Sequence, residues 1–95
     1  MVRVVAKKKV AKEKHAEFLA IASEMVALTR KEDGCIEYTI NTCKQDENLL
    51  VFLEAWESQA HLDAHMQTEH FKTIGPKYNA FCDSSELMIM EDAYQ

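Results

Sequence analysis

The residues able to do chemistry crowd into one stretch of this chain. From Glu54 to Phe71 it reads Glu54-Ala55-Trp56-Glu57-Ser58-Gln59-Ala60-His61-Leu62-Asp63-Ala64-His65-Met66-Gln67-Thr68-Glu69-His70-Phe71. A carboxylate closes an apolar run, an indole follows two residues on, and three of the four histidines fall within ten residues. Imidazole and carboxylate between aromatic walls suit proton abstraction from an acidic C–H or a phenol, followed by reaction of the carbanion with oxygen. A substrate that donates its own electrons needs no bound cofactor for this.

Each member of the cluster also has a structural reading. Glu54 shares a strand face with Phe52 and Trp56, where a carboxylate either finds a donor or has its pKa raised by desolvation. A strand-end glutamate paired with a base or a backbone N–H is the alternative. Trp56 is a large wall with one N–H donor, a residue type that serves cores and interfaces more often than catalysis. His61 and His65, four apart, share a helix face able to offer two nitrogens to a metal, but no spacing supplies a third ligand, so no metal site is predicted. His65, beside Leu62 and Met66, is expected to point inward, and His61 equally suits solvent. His70 opens the following helix as a base or a satisfied structural histidine, and His15 belongs at the surface. No G-x-S-x-G, phosphate-binding loop or G-x-G-x-x-G occurs, so hydrolase, kinase and dinucleotide-binding readings have no residues to carry them.

The elements that hold these residues can be read from periodicity. Residues 2–10 are Val-rich and then alternate with Lys, as a strand with one wet end does. From Glu13 to Lys31, Phe18, Leu19, Ala22, Met25, Val26 and Thr29 recur at threes and fours with Gly34 placed to end the run, which predicts a long amphipathic helix. Cys35–Cys43 and Leu49–Trp56 read as strands of an antiparallel hairpin around a polar turn at Gln45-Asp46-Glu47-Asn48. Ser58 caps a short helix over 59–67. A further helical stretch carries Phe71, Ile74, Tyr78 and Phe81, with Pro76 expected to kink or restart it. Leu87-Met88-Ile89-Met90 makes a fourth strand. The order β-α-β-β-α-β, its second helical region broken in two, predicts a ferredoxin-like α+β fold.

Both faces of the third strand are largely apolar: Leu50, Phe52, Glu54 and Trp56 on one, Leu49, Val51, Leu53 and Ala55 on the other. Helices cover only one face of a four-stranded antiparallel sheet, so a homodimer packed sheet to sheet is predicted.

Composition narrows the function classes. The 95 residues suit a single domain over 1–95, since two would each be too small to fold unaided. Hydrophobic residues make up 47%, with two glycines and one proline, which argues against disorder and long linkers. Sixteen acids against eleven bases give a net charge of -5, unsuited to a phosphate backbone, so no nucleic acid is expected. The basic run Lys7-Lys8-Lys9 with Lys12 and Lys14 reads as a solvated strand edge. Cys35, Cys43 and Cys82 are odd in number and lack C-x-x-C spacing, so reduced, mostly buried thiols are expected. The N-terminal residues lack a signal-peptide hydrophobic region, and no apolar run approaches the roughly 20 residues that span a bilayer. A cytoplasmic protein without membrane contact is the expectation.

Four segments together carry a resemblance. Val4-Val5-Ala6, Glu32-Asp33-Gly34-Cys35-Ile36-Glu37-Tyr38, Phe52-Leu53-Glu54-Ala55-Trp56-Glu57-Ser58, and Ala64-His65 through Thr68-Glu69-His70-Phe71 resemble the antibiotic biosynthesis monooxygenase family over nearly the whole length. The resemblance implies a dimeric, barrel-like α/β assembly in which two sheets face each other, with a pocket in each subunit between sheet and helices. It also implies a choice of chemistries: cofactor-independent oxygenases of anthrone- or quinol-like polyketides, quinol monooxygenases, haem-degrading enzymes, and an isomerase of a phosphorylated signalling sugar. The haem-degrading branch has Asn, Trp and His where this chain has Ala6 or Lys7, His65 and Gly75, so haem is not expected. Trp56 through Thr68 looks most like the quinol monooxygenase branch, whose hairpin is longer.

The leading expectation is a cofactor-independent monooxygenase acting on a small aromatic quinol or phenol with O2. His65 would be the general base, Glu54 or His70 would orient it, and Trp56, Phe52, Tyr38 and Phe71 would wall the ligand. An isomerase or lyase using the same groups for enolisation is the second reading, and a non-catalytic ligand-binding dimer the third.

Overall fold

The computed structural model describes residues 1–94. Its strands and helices run β1 (Val2–Lys9), α1 (His15–Thr29), β2 (Cys35–Cys43), β3 (Asp46–Trp56), α2 (Gln59–Met66), α3 (Glu69–Asn79) and β4 (Ser84–Glu91), with one 3-10 turn at Lys12–Lys14 leading into α1. The sheet is antiparallel throughout in the order β2-β3-β1-β4. This is the ferredoxin-like α+β arrangement expected from the periodicities, with its second helical region divided into α2 and α3.

Alternation along the strands sorts the two faces. Val2, Val4 and Ala6 of β1 stand opposite Trp56, Glu54 and Phe52 of β3, and all but Glu54 are buried beneath the helices. On α1, Phe18, Ala22, Met25 and Thr29 recur every three or four residues and are the buried set, which is the stripe that docks the helix on the sheet. Leu19, counted with that stripe from spacing, falls outside it and is exposed. Aromatic rings fill the centre: Phe18 lies 5.0 Å from Tyr78 and 6.3 Å from Phe52, ring centre to ring centre.

Several local expectations need correction. The hairpin turn is Lys44-Gln45 alone, and β3 begins at Asp46, three residues before the predicted start. Asp46 and Asn48 fit the strand because their side chains serve nearby groups: Asp46 accepts from the Asn48 backbone N–H, and Asn48 accepts from the Lys12 N–H. Pro76 does not restart a helix but lies inside α3, and the Ala80 N–H still reaches the Pro76 carbonyl at 3.2 Å. Burial of Ile74, Gly75 and Tyr78 holds that turn in place against the lost proline N–H. Phe81 lies beyond the helix end. The three cysteines are free and only half-buried.

Gly34 has a positive φ of 81°, and a Cβ there would collide with the His61 imidazole. The loop after α1 therefore passes tightly under α2, with the Gly34 carbonyl accepting the Glu57 N–H at 2.9 Å. That passage brings Glu32 beneath the histidine helices. No helix among the described residues is long and apolar enough to cross a membrane.

The face of the sheet away from the helices is uncovered. Leu53, Met88 and Met90 project there at 38%, 37% and 42% exposure, and every residue of edge strand β4 is exposed.

Candidate active site

The site forms where α2, α3 and the loop after α1 converge over the end of β3. Ser58, in extended backbone just past that strand, accepts the His61 N–H and so sets the start of α2. Thr68 does the same for α3 through the Phe71 N–H. With both starts fixed, the helical repeat brings His65 to the inner face of α2 and His70 to the first turn of α3.

His65 is 1% exposed. Its ring lies 4.8 Å from Trp56, 5.1 Å from Phe71 and 5.6 Å from Tyr38, centre to centre. Its Nδ1 donates to Glu32 Oε2 at 2.7 Å, and His70 Nε2 donates to the same oxygen at 2.7 Å. A carboxylate oxygen that takes both imidazole protons fixes the His65 tautomer, so the lone pair is on Nε2. That nitrogen has no hydrogen-bond partner among the described residues, and His65 borders a cavity of ≈ 420 Å³ between the sheet and α3. Burial holds the His65 pKa below the ordinary imidazole range, opposed by the hydrogen bond and charge of Glu32, while His70 adds to the lowering. The outcome is a neutral imidazole, held from behind by Glu32 and bordering the cavity.

Glu54 also borders the cavity, on the strand face that carries Phe52. Its Oε1 accepts the Trp56 Nε1–H at 3.1 Å. Burial pushes its pKa up to about 7, against the pull of the Trp56 hydrogen bond and of Lys8, with the Glu32 charge raising it further. Across the strands from it, burial likewise raises the Tyr38 hydroxyl, and Tyr78 is pushed up to about 12, so both phenols remain neutral donors at pH 7.

One consequence concerns stability. An unfolded Glu54 titrates near 4.5 and the folded one near 7, so the native state holds the proton more tightly and loses stability as pH rises through that window. Glu54→Gln removes the ionisation and keeps an acceptor for Trp56. The variant is expected to gain up to about 3 kcal/mol over the parent at pH 8 and only a few tenths, about 0.4 kcal/mol, near pH 4.5. Calorimetry at the two pH values checks this; an equal difference at both would contradict it.

Of the residues singled out from sequence, His65, Glu54, Phe52, Tyr38 and Phe71 all border the cavity. Trp56 does not. It is fully buried behind His65, holding Glu54 rather than touching a ligand. His70 also stays off the cavity and reaches His65 only through Glu32. The group bonded to His65 is thus neither Glu54 nor His70 but Glu32, which spacing could not single out because 33 residues separate the pair. Lys8 and Tyr78 are further lining residues that the periodicities assigned to a wet strand end and a helix stripe.

Glu32, His65 and His70 also offer three ligand atoms within 4.8 Å of one another, and Asp33, Glu57 and His61 form a second, more exposed trio. An ion about 2.0–2.1 Å from both partners of a 2.7 Å pair would need an angle near 80°, far inside a tetrahedron. The spacing in the first trio is that of charge-assisted hydrogen bonds.

Comparison with known proteins places this geometry in context. Residues 1–77 match the family model described as antibiotic biosynthesis monooxygenase. YcnE of Bacillus subtilis (strain 168), provisionally named a monooxygenase, is 38% identical over 64 residues, 67% of this chain and 67% of that protein. YgiN of Escherichia coli (strain K12), provisionally named a quinol monooxygenase, is 34% identical over 58 residues, 53% of this chain and 56% of that protein. Another curated relative is matched over only 43% of its length. Among solved structures, a conserved protein from Methanosarcina mazei Go1 superposes with a TM-score of 0.92 at 35% identity, covering 96% of this chain and 91% of that one.

Proposed function

This chain belongs to the antibiotic biosynthesis monooxygenase family, and from that premise we propose that it is a cofactor-independent monooxygenase of a small aromatic quinol or phenol. The observation that carries the reading is the Glu32–His65 pair at 2.7 Å beside a largely apolar cavity. The relatives' monooxygenase and quinol monooxygenase names agree with it.

The reaction follows from the groups present. His65 Nε2 takes a proton from the acidic C–H or O–H of the bound ring, and Glu32 stabilises the imidazolium that forms. The resulting anion passes an electron to O2, and the radical pair joins to make a C–O bond. The peroxide takes up a proton, and loss of the second C–H proton from the same carbon then drives its O–O bond to break with hydroxide leaving. One oxygen stays on carbon as a carbonyl while the other becomes water, so an activated CH2 and O2 give C=O and H2O with no external reductant. Glu54, part-protonated near neutral pH, is the cavity's proton source for the peroxide. Tyr38, Phe52 and Phe71 hold the ring and limit water.

The test is oxygen uptake by metal-free protein given chemically reduced naphthoquinols and anthrones, with His65→Ala subtracting spontaneous oxidation. Uptake lost in the variant supports the oxygenase. Uptake equal in both proteins overturns it, and conversion without oxygen would indicate enolisation at the same base.

The uncovered sheet face supports a second proposal, that two copies pack sheet to sheet. Leu53, Met88 and Met90 form an apolar surface that water would otherwise cover, and a second copy presents the same surface to it. Sedimentation velocity is expected to give a dimer at micromolar concentration; a monomer there would contradict the pairing.

A further inference from the structure

The cavity has two chemically different ends. The cross-strand rows give their separation: Tyr38, Glu54, Val4 and Ile89 form one row, and Thr42, Leu50, Lys8 and Ser85 form another. Four residue steps along β3 separate the backbones of the two rows, about 13 Å of strand. His65 sits over Trp56 and Tyr38, at the first end. Lys8 borders the cavity at the other, with Ser85 and, at the end of α3, Asn79. Lys72, next to Phe71 near the start of the same helix, also borders the cavity.

Lys8 is an unusual residue for that wall. It projects from the helix-facing side of β1, in line with the buried Val4 and Ala6, and is itself half-buried. Its Nζ has one weak hydrogen bond, to Ser85 Oγ at 3.4 Å. Glu54 and Glu86 are the acids bordering the cavity, and neither forms an ion pair with Lys8, whereas its strand neighbour Lys9 pairs with Asp46. Desolvation disfavours the ammonium and lowers its pKa, with Glu54 and Cys82 pulling the other way. An ammonium partly stripped of water and without a carboxylate partner gains most from an anion that enters with a ligand.

We infer that Lys8, with Ser85 beside it, is a specificity-determining subsite for an anionic substituent, a carboxylate or phosphate, on the far end of the ligand from the atom that His65 deprotonates. The inference rests on the proposed oxidation for what happens at the His65 end, but not for binding. It makes the substrate an amphiphile: a flat apolar body along Phe52, Leu87 and Ile89, an acidic carbon or phenol at one end and an anion at the other.

Calorimetric titration tests this without turnover, using 2-naphthoate and its neutral counterpart 2-naphthalenemethanol as probes. The parent protein is expected to bind the carboxylate about tenfold or more tightly than the alcohol, as a charged hydrogen bond requires. Lys8→Met, which keeps side-chain length, is expected to lose that preference, and Lys8→Arg to retain it. Lys8→Gln is read the same way should Lys8→Met fail to fold. Equal affinity for the two probes in the parent, or a preference that survives loss of the ammonium, overturns the assignment. His65→Ala separates the two readings. A carboxylate preference kept while oxygen uptake is lost places the anion at Lys8 and the chemistry at His65, and a preference lost in His65→Ala but kept in Lys8→Met overturns the Lys8 subsite alone.

Discussion

Replacing His65 with alanine is expected to lower kcat on a verified quinol or anthrone by about 10²- to 10⁴-fold, the usual contribution of a positioned general base. The variant keeps the cavity and its Phe52, Tyr38 and Phe71 walls, so KM should move far less. Glu32→Gln is the informative companion. It preserves size while removing the charge that accepts from both His65 and His70. A loss of about 10- to 100-fold is expected, because an unpinned imidazole spends part of its time in the wrong tautomer and its cation is less stabilised. The double variant should be no worse than His65→Ala alone, since Glu32 acts through that ring.

The pH profile distinguishes this from a purely structural role for Glu32. Activity rises with pH as His65 becomes neutral, and its midpoint lies below the ordinary imidazole value because burial disfavours the cation. Glu32 opposes that lowering. Glu32→Gln should therefore move the acidic limb to still lower pH, whereas loosened packing would lower activity without moving it in that direction. An unchanged limb would contradict the pairing.

Phe18→Ala is expected to cost about 3–5 kcal/mol of folding stability. Phe18 is fully buried on α1 and touches Phe52 and Tyr78, which are also walls of the cavity. Its removal loses burial and leaves a void that neighbouring rings cannot close without shifting. For a domain of this size, such a loss lowers Tm by more than about 10 °C. Phe18→Leu, which refills most of the space, should cost about half as much or less. The coupling to the cavity is direct, because Phe52 and Tyr78 border it on one side and rest against Phe18 on the other. Weakened retention of 2-naphthoate should accompany the lower Tm. A Phe18→Ala protein that melts within a few degrees of the parent would show that α1 is not held by this contact.

The periodicities carried the architecture because the forces behind them are local. Apolar residues at threes and fours bury one stripe of α1, alternation sorts the faces of β1 and β3, and Ser58 marks the start of α2 by its own side chain. The apolar far side of β3 made the uncovered sheet face legible as well. Errors arose where tertiary packing outweighed a local rule. Pro76 stays helical because its neighbours are buried, and Asp46 and Asn48 join a strand because Lys9 and the Lys12 backbone N–H, respectively, supply them with partners.

For the site, residue types alone gave the kinds of group that meet there: imidazole and carboxylate beside aromatic rings, with His65 inward on its helix. What only the tertiary structure decided is which group serves which. Glu32 lies 33 residues from His65 and 38 from His70, and their shared oxygen exists only once Gly34 lets the loop after α1 pass under α2. Trp56 retreats behind His65, and Lys8 turns from an expected wet edge into the cavity wall, because these placements depend on where α2 and α3 lie across the sheet. Side-chain identity sets what a group can donate or accept; its distance from a partner far along the chain is set by the packing of the elements between them.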